Sequence, residues 1–270
     1  MNFRSLYTFI IRNIYKKSAK GTEDMAEYQN YIFDLYGTLV DINTNEAKAS
    51  LWKNMAWLFS MMGASYEPAE LKKMYKKLYA EETGRNLLRV REELKDNQIT
   101  AGEVEIHLED VFEKLFADKG VEIDRKQAWQ ISLMFRSLSM NGIRLCEGVE
   151  ELFKRLKEAG KKIYLLSNAQ RMFTEPEMKL LGLSDCFDGI LYSSDADVKK
   201  PSFYFYDAIF QKYGLKKEES VMIGNEYHAD ILGADNYGID SMYVFTAQSG
   251  REPAALPESC RRIETIGDVF

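Results

Sequence analysis

The segment YIFDLYGTLVDI, residues 31–42, decides the fold. Tyr31, Ile32 and Phe33 lead into Asp34, and Leu35 follows directly. A short apolar run of this kind reads as a buried strand of a parallel sheet, here over 31–35. A carboxylate so close to a buried strand costs free energy unless its charge is paired. Asp34 therefore calls for a partner elsewhere in the chain.

Downstream, residues 44–141 carry a helical pattern throughout. Leu51, Met55, Leu58 and Met62 recur at spacings of three and four, which marks one helix face. Thr100 with Glu103 has the form of a capping box ahead of VEIHLEDVFEKLF, and Asp124 suits the cap of the next helix, through Trp129 and Phe135. The Met and aromatic stripes of this block read as helix-packing surface rather than a cofactor site. His107 within it reads as solvent-facing.

From residue 142 the pattern changes. Val149, Leu152, Phe153 and Leu156 share a helix face that Gly160 ends. KKIYLLSN reads as a buried strand, Gly189 to Tyr192 as another, SFYFYDAIFQKYG as a helix, SVMIGN as a strand, ADILGADNYG as a helix and SMYVF as the last strand. Strands alternating with helices predict a parallel sheet covered on both faces. The organisation expected is an N-terminal extension at 1–28, an α/β core of 29–43 with 142–270, and an inserted helical block at 44–141.

Composition narrows the function classes. Of 270 residues, 46% are hydrophobic, enough for a buried core. The net charge of −6 argues against a nucleic-acid backbone as the main partner. Cys146, Cys186 and Cys260 are scattered and odd in number, which suggests neither a zinc site nor a disulfide framework and fits a reducing cytoplasm. No apolar run approaches the ~20 residues that span a bilayer. Residues 1–20 mix apolar and basic side chains without acids, a poor signal peptide. They read as a packed or mobile extension, with a weak surface contact as the alternative.

In open α/β sheets ligands sit beyond the carboxyl ends of the strands. That rule gathers Asp34, Ser167, Asn168, Asn225, Glu226 and Asp230 on one rim, with Lys200 following the strand at 189–192. A lone carboxylate, a hydroxyl, an ammonium and an acidic cluster suit phosphoryl transfer: the carboxylate attacks phosphorus while a cation and hydrogen-bond donors neutralise the oxygens. A divalent metal would let an anionic nucleophile approach an anionic substrate. Structural roles stand beside these. Ser167 and Asn168 are also helix-cap residues, Asp230 suits the cap of its own helix, and a single His228 makes no metal site. Lys200 is one of two adjacent lysines, and a lone surface lysine is usually just solvated.

Four ordered segments, DLYGT (Asp34–Thr38), LLSN (Leu165–Asn168), KKP (Lys199–Pro201) and GNEYHADILGA (Gly224–Ala234), resemble the motifs of the haloacid dehalogenase (HAD) superfamily. The resemblance covers residues 31–245 and implies a Rossmann-like core with a mobile helical cap inserted after the first motif. It further implies a magnesium-dependent phosphatase that forms an aspartyl-phosphate. Carried over, Asp34 is the nucleophile, the Tyr36 main-chain carbonyl is a metal ligand, and Ser167 with the Asn168 amide binds the phosphoryl group. Lys200 pairs with Asp34 and the transferring group. Asn225 stands where many members have a metal-binding Asp, so Glu226 or Asp230 would supply the missing charge, directly or through water.

Tyr36 departs from the phosphatase pattern, in which a second Asp protonates the leaving group and activates water. A phenol with a pKa of about 10 is a poor base at neutral pH. Asp-x-Tyr is similar to the 2-haloacid dehalogenases, where Asp displaces halide from carbon without metal. Their cap arginine has at best a loose match here, at Trp52–Lys53. Three readings result: a phosphatase acting on a small phosphorylated metabolite, a dehalogenase-like hydrolase, and a weakly active or inactive scaffold that binds a ligand or protein. Arg85, Arg89 and Arg91 are candidates to hold a second anion, although on a long helix they are expected to be exposed.

Overall fold

The computed structural model describes residues 28–270, so the expected N-terminal extension lies, apart from Tyr28, outside the described residues. The first strand, β1 (Asn30–Phe33), stops one residue short of Asp34. Its side chains alternate between two cores, as a strand's two-residue period requires. Tyr31 and Phe33 face Val149, Leu152, Phe153 and Leu156. Ile32 faces the other way, toward Phe205, Tyr206 and Ile209.

After a tight turn the chain enters β2 (Val40–Thr44), which pairs antiparallel with β3 (Met140–Leu145). This two-stranded ribbon carries the chain into and out of a helical cap. The cap holds α1 (Ala49–Met61), α2 (Pro68–Leu94), α3 (Leu108–Asp118) and α4 (Arg125–Ser139). Trp52, Phe59, Tyr75, Phe112, Phe116 and Phe135 fill its centre, so the aromatic stripes are packing surface. Asp124 caps α4 as expected: its carboxylate accepts from Gln127 N at 2.7 Å, and Gln127 returns a bond to Asp124 N at 2.9 Å.

One expectation for this block needs correction. Thr100 and Glu103 do bond, with Thr100 Oγ1 2.7 Å from Glu103 Oε2, but they close a turn and start no helix. The next residues instead form a short bridge, Val104 opposite Val198, which joins the cap to the core. Glu105 N donates to Asp197 O at 2.9 Å and Lys199 N to Glu103 O at 2.8 Å. The β propensity of Val104 and a core partner outweigh the capping pair, and α3 begins only at Leu108. His107 keeps 40% of its side chain exposed, as a solvent-facing residue does, and in addition meets Asp197, with its Nε2 3.2 Å from the carboxylate.

The core continues through α5 (Val149–Glu158), β4 (Lys162–Ser167), α6 (Arg171–Leu180), β5 (Gly189–Tyr192), α7 (Phe203–Tyr213) and β6 (Ser220–Gly224). A π-helical turn (Tyr227–Leu232) runs into the short α8 (Gly233–Tyr237), and β7 (Asp240–Val244) follows. A further strand, β8 (Cys260–Ile263), extends the sheet past the one expected to be last. Its sequence, CRRI, is an edge strand with exposed arginines and lacks an apolar run. The six core strands lie in the order β5-β4-β1-β6-β7-β8, all parallel. The result is an α/β core with an inserted cap. Among the described residues no helix is long and apolar enough to cross a membrane.

Candidate active site

Register places the site. Phe33 pairs with Leu165 on β4 and Ile223 on β6, so the residues just beyond these three central strands share one edge. Asp34 extends the ladder by one bond, its N–H donating to Ile223 O at 2.9 Å. Its side chain is 11% exposed and finds the partner that burial demands: Lys200 Nζ lies 2.6 Å from Asp34 Oδ1. The same ammonium lies 2.8 Å from Asp230 Oδ1. Thr38 Oγ1 is within reach of Asp34 Oδ2 at 3.3 Å and Asn225 Oδ1 at 3.2 Å. Three segments distant in sequence thus meet around one charge cluster.

Two carboxylates share one ammonium here, which leaves a surplus negative charge out of water. Burial pushes the Asp230 carboxyl up to about 7; the Lys200 ammonium opposes this rise and the Asp34 charge adds to it. Lys200 feels the opposite balance. Burial works against its charge, but Asp230 and Asp34 outweigh it, and its proton is held more tightly than an ordinary lysine's.

The backbone is built to let these groups approach. Gly37 has φ +87°, and a Cβ there would lie 2.4 Å from Asn225 Nδ2. At Gly224, which ends β6, a Cβ would meet the Asp230 carboxylate. Asp230 Oδ2 accepts the Glu226 N–H at 2.8 Å, and Tyr206 Oη reaches the Ala229 and Asp230 carbonyls at 2.8 and 3.0 Å. Asp230 is therefore fixed by its own loop and by α7. Asn168 holds Lys200 from the other side: its Oδ1 accepts Lys200 N–H at 2.8 Å and its Nδ2 donates to Lys200 O at 3.0 Å. Ser167 ends β4, buried beside this pair. Asn168 does not cap α6, whose capping position is Gln170. The Glu226 and His228 side chains are exposed on the rim.

Tyr36 points away from this cluster into the seam between cap and core. Its hydroxyl donates to Glu177 on α6 and lies 3.1 Å from Thr174 Oγ1. Arg136, on the last cap helix, donates through Nε to Glu177 Oε1 at 2.6 Å and through Nη2 to Oε2 at 3.2 Å. Its guanidinium also packs over the rings of Tyr36 and Phe173. Burial, then the Glu177 carboxylate, push the Tyr36 phenol far above its ordinary value, and the nearby Arg136 does not offset them. The phenol is neutral across the physiological range.

The seam opens into a cleft of about 560 Å³ lined by Tyr36 and Asn168 on the core side and by Tyr75, Lys76, Tyr79 and Arg136 on the cap side. Arg85, Arg89 and Arg91, the candidates for a second anion that were expected to be exposed, do not line it. Arg85 pairs with Glu82, Arg89 with Asp197, and Arg91 Nε donates to Ile99 O. Thr38, Arg136, Glu177 and Tyr206 are the site residues that sequence reasoning missed. Only Thr38, inside DLYGT, carried a local signal.

Comparison with known proteins follows from this geometry. The profile of the haloacid dehalogenase-like hydrolases matches residues 28–238. The chain is 35% identical over 106 residues to the pyrophosphatase PpaX of Halalkalibacterium halodurans, covering 39% of this chain and 49% of that protein. It is 27% identical over 114 residues to the glyceraldehyde 3-phosphate phosphatase of Methanothermobacter thermautotrophicus, covering 42% and 50%. The chain spans about half the length of these curated relatives. Among solved structures, the 2-haloacid dehalogenase of Pseudomonas syringae pv. Tomato DC3000 aligns over 90% of this chain and 96% of its own, with TM-score 0.60 and 16% identity. The HAD-hydrolase YfnB from Bacillus subtilis bound to magnesium aligns over 90% and 97%, with TM-score 0.51 and 21% identity. At these identities the structural likeness concerns the fold.

Proposed function

We propose that this chain, which belongs to the haloacid dehalogenase-like hydrolase family, is a magnesium-dependent phosphatase acting on a small phosphorylated molecule. The observation that carries the reading is the buried Asp34 carboxylate held 2.6 Å from the Lys200 ammonium at the carboxyl edge of the sheet. Asp34 attacks phosphorus, the phosphorus–oxygen ester bond breaks, the leaving oxygen takes a proton from water and departs as an alcohol, and an aspartyl-phosphate forms. Water then attacks that phosphorus and restores the carboxylate. Lys200 neutralises the charge that grows on the phosphoryl oxygens, while Ser167 and the Asn168 amide hold the group in line.

The donor set fits a magnesium ion. Asp34, Asp230, the Asn225 amide oxygen and the Tyr36 carbonyl are all hard oxygens, the ligand type magnesium takes. The surplus negative charge around Lys200 is what a divalent cation would relieve. Among the described residues no three His, Cys, Asp or Glu side chains cluster for a metal. Neutral oxygens and water would therefore complete the shell, as magnesium tolerates. When bound, the ion would screen the approach of one anion to another. Glu226, exposed at the rim, would act through water.

Tyr36 does not serve as the proton carrier in this scheme, because its phenol is tied to Glu177 and stays neutral. The second reading, hydrolysis of a carbon–halide bond by Asp34, draws on that same tyrosine. One assay separates the two. Aryl phosphate hydrolysis should require magnesium and fall at least roughly a thousandfold in Asp34→Asn, the scale on which nucleophile removal acts. Halide release from a 2-haloacid in EDTA, without phosphate release, would replace the phosphatase reading with the second.

A further inference from the structure

We propose that the ester taken by this site is a nucleoside monophosphate, a phosphomonoester whose leaving group has an aromatic ring and no second anionic group. The inference rests on the phosphatase reading for the reaction, and on the cap–core cleft for the leaving group. The cleft, about 560 Å³, has the size of a small-molecule site, and Asn168 belongs both to its wall and to the bonds that hold Lys200. A phosphoryl group at Asp34 would therefore place its leaving group in this space.

Charge excludes a second anion. Two cations line the cleft, Lys76 and Arg136, and two carboxylates, Glu46 and Glu105, line it with them. Arg136 is already bound on two of its N–H groups by Glu177. Among the described residues Lys76 is thus the one cleft cation outside that ion pair, and it shares the lining with Glu46 and Glu105. A bisphosphate or a phosphorylated acid would enter with its second charge unmatched.

The walls then favour a flat ring. Arg136 already packs on the Phe173 and Tyr36 rings, at 4.6 and 5.3 Å. Tyr75 is packed between Trp52 and Phe135, at 5.3 and 5.2 Å, and is a rigid backing. Tyr79, next to it at 6.2 Å, is 37% exposed and is the cleft aromatic with open ring surface. A base stacked on such a ring gains binding free energy that a bare sugar cannot. Gln170 and Glu105 are spent on internal bonds, to Ile106 O and from Ser193 Oγ. That leaves Thr44, Glu46 and Lys76 to meet sugar hydroxyls and the base edge.

The test compares kcat/KM, in magnesium, for adenosine, cytidine and uridine 5′-monophosphates, ribose 5-phosphate and fructose 1,6-bisphosphate. At least one nucleoside monophosphate should exceed ribose 5-phosphate by roughly thirtyfold, the middle of the range that stacking on an aromatic ring supplies. That ratio should collapse in Tyr79→Ser and persist in Tyr79→Phe, which keeps the ring. Ribose 5-phosphate or the bisphosphate matching the best nucleotide overturns the proposal, as does a ratio unchanged in Tyr79→Ser. Hydrolysis of none of these, nor of an aryl phosphate, defeats the phosphatase reading instead. The ligand class is then decided by calorimetric binding to the wild type, where adenosine monophosphate no tighter than ribose 5-phosphate overturns it.

Discussion

Glu177 accepts the Tyr36 phenol on one side and the Arg136 guanidinium on the other, with only 8% of its side chain exposed. A buried ion pair broken from one side leaves the other charge uncompensated, at a cost of about 3 kcal/mol. Glu177→Ala should lower stability by that order in urea unfolding. Tyr36→Phe removes one hydrogen bond, and phosphatase turnover should stay within about threefold if the phenol moves no proton. A hundredfold loss in Tyr36→Phe would assign the hydroxyl to proton transfer. At this scale the sequence was partly legible. Asp34 and Asn225 each follow an apolar run directly, which marked them, whereas Lys200 was told from Lys199 only by the resemblance of KKP to the family motif. Arg136 and Glu177 look like ordinary charged residues on two helices, and their partnership spans 41 residues. No local pattern announces a contact made only when the cap docks.

Between elements, the telling contact is the cap segment 103–107 against the core loop 197–199. Asp197 sits at φ +58°, and its carboxylate meets Arg89 Nη2 at 3.0 Å and His107 Nε2 at 3.2 Å. The hydrogen bond to Asp197 raises the His107 pKa above its ordinary value; burial opposes the rise, and Asp197, Asp110 and Glu109 add to it. Stabilisation from the protonated imidazole is then complete below about 6.5 and is lost as pH climbs through the higher folded value. Hydrogen exchange, corrected for intrinsic rates, should report weaker protection at 104–108 and 197–199 above that value. In Asp197→Asn this dependence should flatten; an unaltered profile would detach His107 from the joint. Elements were legible where periodicity was strong, as in the central strands and α5. They were not legible where a tertiary partner decides, as at Val104, or where an edge strand such as β8 has no apolar run to mark it.

For the molecule as a whole, the charge cluster under the sheet edge sets the response to acid and to metal. Asp230 has its folded pKa raised to about 7, above the unfolded carboxylate value. The favourable protonated form is therefore present at low pH, and its contribution is lost as pH rises through 7. In EDTA the thermal midpoint should fall by several degrees between about pH 5 and pH 8, and Asp230→Asn should remove most of that slope. Magnesium should restore the midpoint at pH 8 in the wild type but much less in Asp230→Asn; equal recovery in both would remove Asp230 from the ligand set. The bridge between Val104 and Val198 has a wider consequence, because Lys199 N–H donates to Glu103 O next door to the reactive lysine. The roof is thus stitched to the core one residue before the ammonium-bearing position, so any displacement of the helical block against the sheet is felt at the backbone leading into Lys200.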